Sequence, residues 1–122
     1  MSGIRTDLAH AAVDRGAAAL DHLRPDWRKH ISAARLDISH SVWCVLGQLY
    51  ANIGIVPLAE LWDQLAAAAG DTDDNDVDFT VVFGFDVPDP LPQLPDGGIN
   101  YDLLDQYRAA LEERWIHHLT AT

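Results

Sequence analysis

The chain has one cysteine, one methionine and one lysine in 122 residues. With Cys44 alone, no disulfide can form within the chain, which is expected in a reducing cytoplasm. No stretch reaches the roughly 18 apolar residues of a membrane span. The opening MSGIRTDLAHAAVDRG is broken by charge and does not read as a secretory signal. The expectation is a soluble cytoplasmic protein with no membrane association.

Basic residues are missing over a long interval. Between Arg35 and Arg108 there is no lysine or arginine, while the same interval holds 13 of the 19 acidic residues. The first 35 residues run the other way, with six basic residues against four acidic, and the whole chain carries a net charge of −11. Binding nucleic acid directly through its phosphates needs clustered Lys and Arg, so this distribution argues against it. A basic protein partner is electrostatically easier. The candidate partner-binding acids are Asp71, Asp73, Asp74, Asp76, Asp78, Asp86 and Asp89. The bland alternative is that the negative surface serves only solubility. Sixteen Asp against three Glu, seven Arg against one Lys, and 17 Ala point to GC-rich codons, which bears on source and not on mechanism.

Signatures of chemistry are also few. There is no phosphate-cradling glycine loop, since PDGGIN reads as a turn and a helix cap. There is no serine nucleophile elbow and no HExxH. His117 and His118 are adjacent on a helix and point about 100° apart, a poor arrangement for one metal, and His10, His22, His30 and His40 are scattered. Asp71, Asp73 and Asn75 occupy the first, third and fifth positions of an EF-hand loop, but Asp76 stands where glycine is needed and Val82 where the bidentate glutamate belongs. They remain a weak calcium candidate; no metal and no cofactor are expected. Cys44 lies early in a helix, the kind of position where cysteine nucleophiles occur, without a recognisable histidine base.

What is present is helix-forming sequence. Thr6 can cap a helix through DLAHAAVDRGAAALDHL, with Leu8, Ala12, Ala19 and Leu23 on one side; Gly16 weakens it by about 1 kcal/mol, and Pro25 ends it. PDWRKHISAARL is a short helix or an irregular linker. In LDISHSVWCVLGQLYANIG, a helix starts from a Ser39 or Ser41 cap and carries Val42, Val45, Leu46, Leu49 and Ile53 on one stripe, widened by Trp43 and Tyr50, and Gly54 closes it. Its other side holds Cys44, Gly47, Gln48 and Ala51, all small or uncharged. The reading is an interior helix packed on two sides, with Gly47 admitting a neighbouring backbone and Cys44 acting as a small hydrophobe.

VPLAELWDQLAAAAG follows, with Pro57 in its first turn, a face of Leu58, Leu61, Trp62, Leu65 and Ala69, and Gly70 after its end. The last helix, NYDLLDQYRAALEERWIHHL, has Asn100 as cap and Leu104, Tyr107, Leu111, Trp115 and Leu119 on one stripe. FTVVFGF is β-prone, and RLDI at 35–38 is its only evident partner. The predicted class is mainly α: four to five helices in a small single-domain bundle around a central buried helix, with one short two-stranded β element. The domain spans 1–122, with an acidic loop at 71–78 and a Pro-rich loop at 86–99.

RLDI, CVLGQLY, FGFD and YDLLDQYRAALEERWI together resemble small proteins of actinobacteria and their bacteriophages, in which an LD dipeptide precedes a CVLGQL core and a GF leads into a final Trp-containing helix. The matching residues are Leu36, Asp37, Cys44, Val45, Leu46, Gly47, Gln48, Leu49, Gly84, Phe85, Tyr101 and Trp115, over about residues 25–119. The chain departs from that pattern in its YANIG and in its proline-containing insert. The resemblance implies a phage-related context and no activity.

Three functions follow as expectations. The first is a small acidic, non-enzymatic protein-binding module that modulates or inhibits a partner, in its sharper form by imitating DNA before a basic or DNA-binding protein. The second is a self-associating accessory protein, for which four tryptophans in so short a chain are suggestive; a homodimer is also compatible with the first. The third is an enzyme or ligand-binding protein that uses Cys44 with Gln48.

Overall fold

A computed structural model describes residues 6–38, 43–70, 78–86 and 101–120. Among the described residues five helices follow in order: α1 (Thr6–Leu23), α2 (Val45–Ile53), α3 (Ile55–Ala68), α4 (Phe79–Val82) and α5 (Tyr101–Thr120). Two 3-10 turns, Trp27–His30 and Ala33–Arg35, lie between α1 and α2. The long terminal helices α1 and α5 pack on each other, and α3, α4 and the two turns are set around that pair.

Small residues decide which side of α1 goes inside. Ala9, Ala12, Val13, Gly16, Ala17 and Leu20 are buried, whereas Leu8, read as a core position, is exposed. The reason is distance of approach. A Cβ added at Gly16 would overlap the carbonyl oxygen of Phe83, and one added at Gly84, where φ is +72°, would lie 2.6 Å from the Val13 nitrogen. The 83–85 turn therefore rests directly on the α1 backbone, and a face of larger side chains would hold it off.

From that turn aromatic rings run inward. Phe85 stacks on Trp115 with centroids 5.3 Å apart and planes within 11°. Trp27 and Trp115 make a T-shaped contact with centroids 5.6 Å apart. Phe79 and Phe83 complete the cluster beside Phe85. Trp27 and Trp115 have no exposed surface, and burying each is worth about 4 kcal/mol or more. The Trp115 indole N–H donates to the Gly84 carbonyl at 2.8 Å, so its one polar atom is satisfied inside the core.

The β element is not formed: no strand occurs among the described residues. Residues 78–86 satisfy their backbone locally. Asp78 Oδ1 accepts from the Thr80 N–H at 3.1 Å, Phe83 N donates to Phe79 O at 3.0 Å, and the N–H groups of Phe85 and Asp86 both reach Thr80 O. The supposed partner strand is engaged elsewhere, with Ile38 N donating to Glu112 Oε1 on α5 at 2.8 Å and Asp37 N to Trp43 O at 3.1 Å. A β-branched and aromatic run has here become one helical turn, because three phenylalanines share a single core.

The central helix also differs from its sequence reading. It begins at Val45, and Cys44 itself is the N-cap. Ser39, Ser41 and Val42 lie outside the described residues. Val45, Leu46 and Leu49 face the core and Gln48 on the other side is buried beside the first 3-10 turn, but Tyr50 and Ala51 are exposed, so the second side is only partly covered. Gly47 is half-buried and lines a groove on this helix. Gln48 is buried.

Polar side chains fasten α1 to α5. Arg114 grips Asp14 through Nε and Nη2, at 2.8 and 3.1 Å, and His118 Nε2 lies 2.7 Å from the same carboxylate. The Arg114 hydrogen bonds, against some opposing desolvation, and then the His118 contact bring the Asp14 carboxyl from 3.8 down to about 2. Nearby, Asp21 accepts from the Trp27 indole at 2.8 Å and from Arg28, which also donates to the His118 carbonyl at 3.1 Å. One guanidinium thus ties the first 3-10 turn to the ends of both long helices.

Two outcomes follow. By helix propensity alone Gly16→Ala would gain about 1 kcal/mol; the overlap with the Phe83 carbonyl reverses the sign, and urea unfolding is expected to show a loss of about 2 kcal/mol. Because the folded carboxyl of Asp14 lies below its unfolded value, its stabilisation is present above about pH 4 and is lost as pH falls towards 2. Asp14→Asn is expected to flatten that part of the acid unfolding curve, monitored by circular dichroism.

Candidate interaction surface

α2 and α3 are joined by one residue, Gly54, at φ 90° and ψ 170°. Its N–H closes α2 on the Tyr50 carbonyl at 3.0 Å, and its own carbonyl receives Leu58 N at 3.2 Å to start α3. Beside this corner lies a groove of about 620 Å³ lined by Cys44, Leu46, Gly47, Tyr50, Ala51, Leu58 and Trp62. Every one of these lining side chains is uncharged.

The rim continues the apolar character. Tyr50 is 50% exposed, Ile55 61%, Val56 67% and Trp62 44%. Ile55 and Trp62 are seven residues apart on α3 and so share a side, beside the buried Leu58. Trp62 is held by an edge-to-face contact with Phe79 at 4.8 Å, which presents its remaining surface in a fixed orientation. Trp43, just before α2, is exposed as well. Helical spacing puts Trp43 and Tyr50 on the widened stripe of α2 and Trp62 on the apolar face of α3, yet these rings form an exposed aromatic and aliphatic face of the kind that marks interaction sites.

Cys44 stands at one end of this groove. Its Sγ accepts from the Gly47 N–H at 3.3 Å, so the thiol caps α2. It also lines a smaller cavity of about 380 Å³ with Ile38, Thr80, Asp86 and Arg108. Neither cavity is lined by a histidine among the described residues. Gln48, paired with Cys44 in the enzyme reading, belongs to a different cavity and its amide is engaged with backbone, as described below.

The acidic residues divide sharply. Asp78 is a helix cap, bonded to both the N–H and the hydroxyl of Thr80. Asp86 is exposed beside Arg108 in the smaller cavity. Asp71, Asp73, Asp74, Asp76 and Asp89, and with them the calcium candidate Asp71, Asp73 and Asn75, lie outside the described residues. The rings of His117 and His118 meet edge to face with centroids 5.7 Å apart, His118 lies on Asp14, and no group of three His, Cys, Asp or Glu side chains converges as metal ligands among the described residues. None of the described helices is long and apolar enough to cross a membrane.

Comparison with protein-family models, with curated proteins and with solved structures found no match. The surface therefore has to be read from its own chemistry.

If the thiol serves as a cap, Cys44→Ser keeps the acceptor and is expected to hold or raise the urea midpoint, whereas Cys44→Ala lowers stability by about 0.5–1 kcal/mol. Iodoacetamide is expected to alkylate the wild-type thiol without denaturant, since it borders two open cavities; protection until unfolding would contradict that placement.

Proposed function

We propose that the protein is a non-enzymatic protein-binding module that docks a partner on the α2–α3 face. The observation that carries this reading is the cluster of Tyr50, Ile55, Val56 and Trp62, large apolar side chains left half or more in solvent around an uncharged groove. Leaving them exposed costs solubility, and they lie on helices whose buried sides are already filled by Leu49, Leu58, Leu61 and Leu65. They are available for an interface core, where aromatic residues supply most of the affinity.

Charge selects the partner. The groove sits within the interval that has no lysine or arginine, with Glu60 and Asp63 exposed on the same helix as Trp62. A partner presenting an apolar ridge flanked by Lys or Arg suits this surface, and its approach would be accelerated by the net charge of −11. Modulation or inhibition of a basic, DNA-binding protein is the sharper form of the proposal. The phage-related context implied by the CVLGQL resemblance agrees with it.

Self-association through the same face is the second reading, favoured by the exposed Trp and Tyr rings. Ile55→Glu separates these readings, because the side chain is exposed and its replacement leaves the core intact. For a partner-binding module, the variant keeps its circular dichroism, both proteins are monomeric by light scattering at about 1 mM, and capture of a basic protein from extract falls at least about tenfold, and also falls at high salt. A wild-type dimer dispersed by Ile55→Glu supports self-association. Capture indifferent to both the substitution and salt removes the proposal.

A further inference from the structure

A third cavity, of about 550 Å³, opens on the other flank of α2, between that helix and the first 3-10 turn. Its charge is opposite to that of the chain as a whole: Lys29 and Arg35 line it, and no Asp or Glu does. The Arg35 guanidinium lies 5.4 Å over the Trp43 ring and has no carboxylate partner among the described residues. Lys29 is largely exposed and reaches only Asp26, at 3.8 Å.

The floor of this cavity is fastened by side-chain amides. Gln48, buried in the middle of α2, accepts from the Ser32 N–H at 2.6 Å and donates to the carbonyls of Ser32 at 3.3 Å and Trp43 at 2.9 Å. Asn52, one turn on, donates to the His30 carbonyl at 2.8 Å and to the Gln48 carbonyl at 3.0 Å. The two amides hold the 30–32 backbone and the Trp43 backbone at set distances from α2. The cavity is thus pre-formed, with an indole and Ile31 as apolar wall and two cations that these clamps do not use.

We propose that this cavity binds a small planar organic anion, whose ring packs against Trp43 and Ile31 while Arg35 and Lys29 hold its charged group. Its size falls within the range of small-molecule sites and accommodates a body as large as a mononucleotide. The planar guanidinium of Arg35 matches a carboxylate or phosphate in two-point fashion, and Lys29 adds a point charge. The overall negative charge does not forbid this, because at 0.15 M salt charges beyond about 8 Å are largely screened, while the two cations would touch the ligand. The site adjoins the α2–α3 groove, sharing Ala51 with it, but its two cations and its amide clamps lie on the other flank of α2, and it does not depend on the docking reading.

The test is an NMR titration of the full chain at 0.15 M salt, following the indole N–H signal of Trp43, identified by its loss in Trp43→Phe. The probes are adenosine monophosphate, 2-naphthoate, adenosine and inorganic phosphate. A saturable shift with adenosine monophosphate or 2-naphthoate, at a Kd of about 1 mM or below, supports the proposal, and which of the two binds tells phosphate from carboxylate. Adenosine and inorganic phosphate are expected to bind at least about tenfold more weakly, one lacking the charge and the other the ring. Arg35→Gln is expected to weaken the binding probe at least about tenfold with the amide spectrum of α1 and α5 unchanged. Adenosine or phosphate equal to the best probe, full binding by Arg35→Gln, or no saturable shift up to about 10 mM overturns it.

Discussion

The indole of Trp115 is the contact on which the other elements converge. Phe85 stacks on it, Trp27 meets it in a T-shaped contact, and its N–H holds the Gly84 carbonyl. These bring three distant parts of the chain, the first 3-10 turn, the 83–85 turn and α5, to one point. The hydrogen bond also sets the orientation of Gly84, whose left-handed φ lets the turn lie against Val13. Gly16 and Gly84 then act as a pair, each allowing the backbone of the other segment to come close. The polar strap of Asp14, Asp21, Arg28, Arg114 and His118 runs along the same α1–α5 seam, so specificity of register is added where the apolar packing is tightest.

The helices that advertise themselves by punctuation were legible. α1 runs from Thr6 to Leu23 before Pro25, α3 has Pro57 in its first turn and Gly70 beyond its end at φ 91°, and Tyr107, Leu111 and Trp115 form the buried line of α5. Propensity and caps act within a few residues and can be read there. What was not legible depends on partners far away in the chain. Leu8 yields its core place to Ala9 and Gly16 because of a turn 67 residues beyond the glycine, and FTVVFGF abandons β geometry because an Asp78 cap and an aromatic core outweigh its intrinsic preference.

The site was misread for a related reason. A helix with a small-residue side looks equally suited to a packed neighbour and to an open groove, since both need low bulk; sequence spacing cannot tell which is present. Of the residues singled out on that side, Cys44 and Gly47 line one cavity, and Gln48 another. The signal for Gln48 was available: an amide flanked by Val45, Leu46 and Leu49 must find partners, and it finds them in the irregular segment that has no secondary structure to satisfy its own backbone. The acidic residues counted as a surface are heterogeneous, for Asp78 is spent on a helix end.

Gly54 gives the groove an unusual mechanical character. Most clefts between helices owe their width to a loop that can lengthen, shorten or flex, but here a single alpha carbon forms the corner, at a φ that other residues rarely adopt and with open space where a side chain would be. The aperture is consequently a property of two torsions. An added residue in that elbow would bring two further torsions, and the chain would no longer fix where Trp62 stands relative to Cys44.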